Sequence, residues 1–193
     1  DALTVVGSAG VDEFVSTTGL VTLTSGGGVR VPVNYSGFET LTLDGLDGAD
    51  SFDVTPDAVP VTVNGGLPTT GAMTDSLTVR SAALNVTHAF DAVPGGGSVM
   101  VAGLADVAYS GIEQAIVSGT GSALLTIAGT VNADVFTVTG TATRSFDLNF
   151  SGALASYSGI NRFDLSTNEG NDQVAVTPFY GMSGWDVSLN LNL

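Results

Sequence analysis

The sequence predicts an all-β fold built as a β-solenoid, with a right-handed parallel β-helix as the favoured form and a β-sandwich as the alternative packing of the same strands. Three observations predict it. Apolar residues alternate by twos in short runs such as "LTVV", "VTLT", "LTLD", "VTVN", "LLTI" and "FTVT", which turns Leu, Val and Ile to one face and Thr to the other. Turn-forming residues, among them 26 glycines in 193 positions, break these runs at short intervals, and no window holds a 3.6-residue period over helical length. Third, the chain aligns with itself.

Four segments align without gaps: "LTVVGSAGVDEFV" (3–15), "LTLDGLDGADSFD" (41–53), "LTIAGTVNADVFT" (125–137) and "FDLSTNEGNDQVA" (163–175). The first and second copies lie 38 residues apart, as do the third and fourth. Within them, Gly7, Gly45, Gly129 and Thr167 share a column, Gly10, Gly48, Asn132 and Gly170 a second, and Asp12, Asp50, Asp134 and Asp172 a third. Gly exchanged only with Asn in the second column predicts a left-handed backbone in all four copies. The aspartate two residues on is expected to bond the amides of its own turn, and Phe14, Phe52, Phe136 or Val174 then enters the core.

Between the copies, "VTVN" (61–64) and "LTV" (77–79) read as further strands. "VAYSGIEQAIV" (107–117) parallels "VNYSGFETLTL" (33–43) at an offset of 74, and Tyr157-Ser158-Gly159 repeats the motif again. Tyr35, Tyr109 and Tyr157 are thus expected at equivalent positions, as a core ladder. In "SGTGSAL" (118–124) the turn has lost its aspartates. Together these fit one domain, 1–193, of about five units of roughly 38 residues, the last incomplete. Such units cannot cover their own apolar faces and are expected to stack. Tyr180 and Trp185 are expected to cover the last turn or meet a following unit.

Nineteen acidic residues, fifteen of them Asp, against four arginines and no lysine give a net charge of −15. That surface repels nucleic acid and anionic membranes and welcomes cations. No run reaches the roughly 20 apolar residues of a membrane helix. Cysteine is absent, which excludes disulfides, zinc-thiolate sites and thiol chemistry. The start "DALTVV" shows neither Met nor a signal pattern and reads as part of a longer, processed protein.

Asp44, Asp47, Asp50 and Asp53 crowd one turn and form the candidate calcium site, since calcium takes six to eight oxygens. The competing reading is a turn whose aspartates serve the backbone alone. Asn168, Glu169, Asn171 and Asp172 make a poorer set in the fourth copy. "GLDGADSF" (45–52) resembles a single degenerate nonapeptide of RTX proteins, with Leu46 where that motif has Gly. The longer pattern (33–54), echoed at 107–117 and 155–176, resembles the repetitive β-solenoid regions of very large secreted and cell-surface proteins of bacteria. The resemblance implies an extracellular or cell-surface location, a structural or adhesive spacer role, and flanking repeats, glycans or other cell-surface components as partners.

No catalytic set is expected. His88 is the single histidine, and a triad would have to pair it with Asp91 and a serine, with no nucleophile-elbow sequence present; it reads instead as a partly exposed strand or turn residue. A β-helix enzyme acting on acidic polysaccharides would need clustered cations, whereas Arg30, Arg80, Arg144 and Arg162 are scattered. A carbohydrate-binding module is the other alternative and requires the tyrosines to be exposed. Thr-x-Thr arrays of ice-binding type are sparse, and Asn34, Asn85 and Asn149 match the glycosylation sequon.

Overall fold

A computed structural model describes residues 1–29, 32–68, 74–179 and 185–192, so Arg30 and Tyr180 lie outside the described residues. Among the described residues the fold is all-β, dominated by a mixed sheet of 18 strands. Among the described residues no helix is long and apolar enough to cross a membrane.

The pairings run in two ladders. In the first, Ala2–Val6 pairs in parallel with Thr40–Asp44, which pairs with Val61–Asn64, which pairs with Val107–Ser110. The antiparallel strands Gly97–Val101 and Val86–Phe90 come next. The second half of Gln114–Ala128, the second half of Ala153–Ser166 and finally Ser188–Asn192 complete it. In the second ladder, Leu20–Ser25 lies antiparallel to Asp12–Thr17. Parallel to that follow Ser51–Val54, Ser76–Ala82 and the first halves of the two long strands. Ser145–Phe150 and Val135–Ala142 then pair antiparallel, and Gln173–Thr177 closes the series in parallel.

The two-residue alternation decides which side chains meet. Leu41, Leu43, Val61, Val63, Leu125, Ile127, Phe163 and Leu165 turn inward from the first ladder and are all buried. Phe14, Phe52, Leu77, Val79, Phe146 and Leu148 do the same from the second. Like residues stack along a ladder, as Phe14 on Phe52 with centroids 4.8 Å apart. The two ladders also face each other: Phe90 stacks on Phe150 at 4.6 Å and Phe163 on Phe146 at 4.4 Å. Each such fully buried side chain contributes roughly 1.5–3 kcal/mol. Thr4, Thr42 and Thr62 stand in register on the opposite face of the first ladder.

The 38-residue offset of the sequence alignment is also the hydrogen-bond register at several rungs. Leu3 pairs with Leu41, Phe14 with Phe52, Leu125 with Phe163 and Phe136 with Val174. It is not uniform, because Leu41 pairs with Val61 and Phe52 with Leu77 across shorter stretches. The antiparallel hairpins also depart from an all-parallel coil. "SGTGSAL" is no turn at all: the backbone continues as strand from Gln114 to Ala128, shifting register between Ser118 and Ala123 as it passes from one ladder to the other.

The "YSG" motif does not place its tyrosines equivalently. Tyr109 belongs to the first ladder and Tyr157 to the second, while Tyr35 is half-buried and bonds the Thr17 carbonyl at 3.5 Å. What the copies share is the glycine, left-handed at Gly37 (φ 75°), Gly111 (65°) and Gly159 (70°). Trp185 packs against the core, edge-on to Phe146.

Candidate functional site: the buried carboxylate corner

All four aligned turns carry the chain from the first ladder into the second, and their aspartates form columns. The Asp12 amide donates to Asp50 Oδ1 at 2.8 Å, the Asp50 amide to Asp75 Oδ1 at 2.7 Å and the Asp75 amide to Glu113 Oε2 at 2.6 Å. In the second column the Asp134 amide donates to Asp172 Oδ1 at 2.9 Å. Asp50, Asp75, Glu113 and Asp172 thus each accept a backbone N–H from the rung before, whereas Asp12 and Asp134 accept the amides of Ser8 and Thr130 in their own turns, as expected. Asp12, Asp50, Asp75 and Asp134 are all buried.

This geometry explains the glycine of the first alignment column. A Cβ on Gly7 would lie 2.6 Å from Asp12 Oδ2, one on Gly129 would lie 2.8 Å from Asp134 Oδ2, and one on Gly45 would overlap Asp50 Oδ2. The carboxylate folds back over a bare Cα. Thr167 occupies that column in the fourth copy, and there Asp172 is only half-buried.

The second column departs from the expectation of a shared left-handed backbone. Gly48 (φ 153°) and Gly170 (φ 139°) have positive φ, whereas Gly10 and Asn132 do not. The reason is stacking: a Cβ on Gly48 would lie 2.6 Å from the Gly10 carbonyl oxygen, and one on Gly170 would overlap that of Asn132. The upper corner of each pair rests on the lower one's backbone.

Two turn designs result. In the first and third copies a hydroxyl residue follows the glycine, and the amides of Ser8 (2.5 Å) and Thr130 (2.7 Å) donate to Oδ2 of Asp12 and Asp134. In the second and fourth copies the same position is left-handed, at Leu46 (φ 71°) and Asn168 (φ 64°). Asn suits that conformation, and Asn168 also donates to the Gly129 carbonyl at 2.6 Å. Leu46 has neither advantage. Leu46→Asn is therefore expected to stabilise the fold by about 1 kcal/mol, a rise of roughly 2–4 °C in melting temperature by calorimetry.

The sequence alignment missed Asp75 and Glu113. A signal was present, since "VTVNGG" (61–66) parallels "LTLDGL" (41–46), but its aspartate comes ten residues after Gly65 rather than five after Gly45.

The four calcium candidates go to different partners. Asp44 accepts from Asn64 Nδ2 at 3.1 Å, Asp53 pairs with Arg80 through both guanidinium arms, Asp50 points into the corner, and Asp47 is exposed. Among the described residues no three His, Asp or Glu side chains converge as metal ligands. Arg162 pairs with Asp164 and Arg144 with Asp186, so the described arginines are spread over the surface.

Electrostatics single out the corner. Burial, reinforced by Asp75 and Asp12, pushes the Asp50 carboxyl up to about 6 against the pull of the Asp12 amide. Burial likewise raises Asp75, helped by Glu113 and opposed by the Asp50 amide. Among the described residues, Oδ2 of Asp50 and of Asp75 has no hydrogen-bond partner.

His88 is not partly exposed but fully buried in the strand Val86–Phe90. Its Nδ1 lies 2.6 Å from the Tyr157 hydroxyl and its Nε2 2.6 Å from that of Tyr109. Burial holds the imidazole down at about 3 and raises both tyrosines. This tyrosine–histidine–tyrosine bridge crosses from one ladder to the other, while Asp91 is exposed.

Comparison of the chain with protein-family models, with curated proteins and with solved structures yields no match.

Proposed function

We propose that the chain is a β-solenoid segment serving as a structural or adhesive spacer in a large extracellular or cell-surface bacterial protein. The observation that carries this reading is the register: aligned sequence copies are hydrogen-bonded neighbours, Leu3 on Leu41 and Phe14 on Phe52 in one part, Leu125 on Phe163 and Phe136 on Val174 in another. A stack held by ladders and corner hydrogen bonds transmits load along its axis, and an acidic, lysine-free surface keeps it soluble and discourages edge pairing. Against the glycan-platform alternative stands the burial of Tyr109 and Tyr157.

Pulling the chain between its ends in a force microscope tests the reading. One cooperative, high-force unfolding event is expected, with no polysaccharide cleavage by the isolated chain. Stepwise low-force yielding, or turnover of a uronate polymer, would overturn it.

Calcium at Asp44, Asp47, Asp50 and Asp53 has its own test. Because Asp44 and Asp53 already hold Asn64 and Arg80, a chelator at low salt is expected to leave the melting temperature unchanged. A fall of several degrees would assign an ion to that corner.

A further inference from the structure

The Asp12, Asp50, Asp75, Glu113 column poses a problem of charge. Three successive rungs bury their carboxylates, with Asp50 and Asp75 each accepting one backbone N–H from the rung before and each leaving Oδ2 without a partner among the described residues. Among the described residues, the titratable groups facing Asp50 are Asp12 and Asp75, and those facing Asp75 are Asp50 and Glu113. Described arginines do not compensate them, being paired with Asp53, Asp164 and Asp186. Adjacent buried carboxylates cannot all stay ionised without a counter-charge.

The glycines show where the neutralising group sits. Asp50 Oδ2 lies against Gly45, and Asp75 Oδ2 would be 2.9 Å from a Cβ on Gly65, so each orphan oxygen rests in a tight glycine cradle. A proton needs no extra volume; a hydrated cation does.

We infer that the corner column binds protons on Asp50 and Asp75 as pH falls toward 5, and so works as a proton-operated latch that tightens the stack of rungs. This goes beyond the spacer reading and does not depend on what the chain adheres to. The sign follows from linkage. The Asp50 carboxyl lies above its ordinary value in the fold, so the folded chain takes up protons before the unfolded chain does. Its strain is fully present above about 6 and is relieved as pH falls toward 3.8. Asp75 acts in the same direction.

His88 titrates oppositely in an overlapping window, so the experiment is a difference. Melting temperatures of the wild type and Asp50→Asn are compared from pH 8 to pH 5. The carboxamide is neutral and its oxygen still accepts the Asp12 amide. The variant is expected to gain on the wild type at pH 8 and to have given back part of that gain by pH 5. A pH-independent difference overturns the latch. Should the variant fail to fold, carbon-13 titration of the wild-type side chain decides: an Asp50 carboxyl midpoint near 6 supports the inference, and one near 4 overturns it. Millimolar calcium chloride at pH 8 is expected to leave the variant's advantage intact. If calcium abolishes it, a cation rather than a proton neutralises the column and the inference fails.

Discussion

Gly66→Ala is expected to prevent the chain from folding, or to lower its stability by at least about 4 kcal/mol, as read by urea unfolding or by loss of soluble expression. A Cβ at this position would overlap the Leu46 carbonyl oxygen and approach its carbonyl carbon to 2.5 Å. Both are backbone atoms of the neighbouring corner, so no side-chain rotation relieves the clash. The rungs would have to part, breaking the parallel pairing of Leu41–Asp44 with Val61–Asn64 near its end. Gly66 also has φ 97°, which an alanine resists. Gly103→Ala separates the two effects: Gly103 has φ 81° but nothing within 4 Å of its would-be Cβ. That variant is expected to lose only about 1–2 kcal/mol. Equal losses in the two variants would show that torsion rather than close stacking makes Gly66 necessary.

The same corner shows how far the residues alone could be read. Strand alternation was legible because one face of each rung is buried, and the 38-residue alignment was legible because Leu3 and Leu41, or Phe14 and Phe52, fill one stack and face the same packing demand. The buried aspartates were legible as a column but not as a ladder. Nothing in "DGLDGAD" says that Asp50 accepts its hydrogen bond from Asp12, 38 residues earlier, rather than from its own turn. Asp75 was missed because five extra residues lie between it and Gly65 compared with the spacing of Gly45 and Asp50, and a gapless alignment does not span such an insertion. The tyrosines were misplaced for a related reason. "YSG" encodes a left-handed glycine after a tyrosine, a local bend that can lead into either ladder, and Tyr109 and Tyr157 enter different ones. Burial of His88 had no local signal, since its partners are 21 and 69 residues away and neither would identify it alone.

His88→Phe is expected to cost about 4 kcal/mol at pH 7.5 even though ring volume is nearly kept. Phenylalanine fits beside Phe90, whose ring already lies 4.3 Å from the imidazole, so packing is largely preserved. The loss comes from the Tyr109 and Tyr157 hydroxyls, buried and deprived of partners, at about 1–3 kcal/mol each. His88→Gln, with a donor and an acceptor on one amide, is expected to recover part of it. The pH dependence is the sharper test. The imidazole lies near 3 in the fold against an ordinary 6.5, so the folded chain binds fewer protons between those values. Its contribution is fully present above pH 6.5 and is lost as pH falls toward 3, reaching roughly 5 kcal/mol at about 1.4 kcal/mol per unit. The carboxylate column contributes with the opposite sign in wild type and variant alike and cancels in the comparison. The stability curves of wild type and His88→Phe should therefore converge as the solution is acidified, the variant's deficit shrinking from pH 6.5 downward. Parallel curves over that range would mean that the histidine is reached by solvent protons without unfolding, and that the bridge between the two ladders is not sealed.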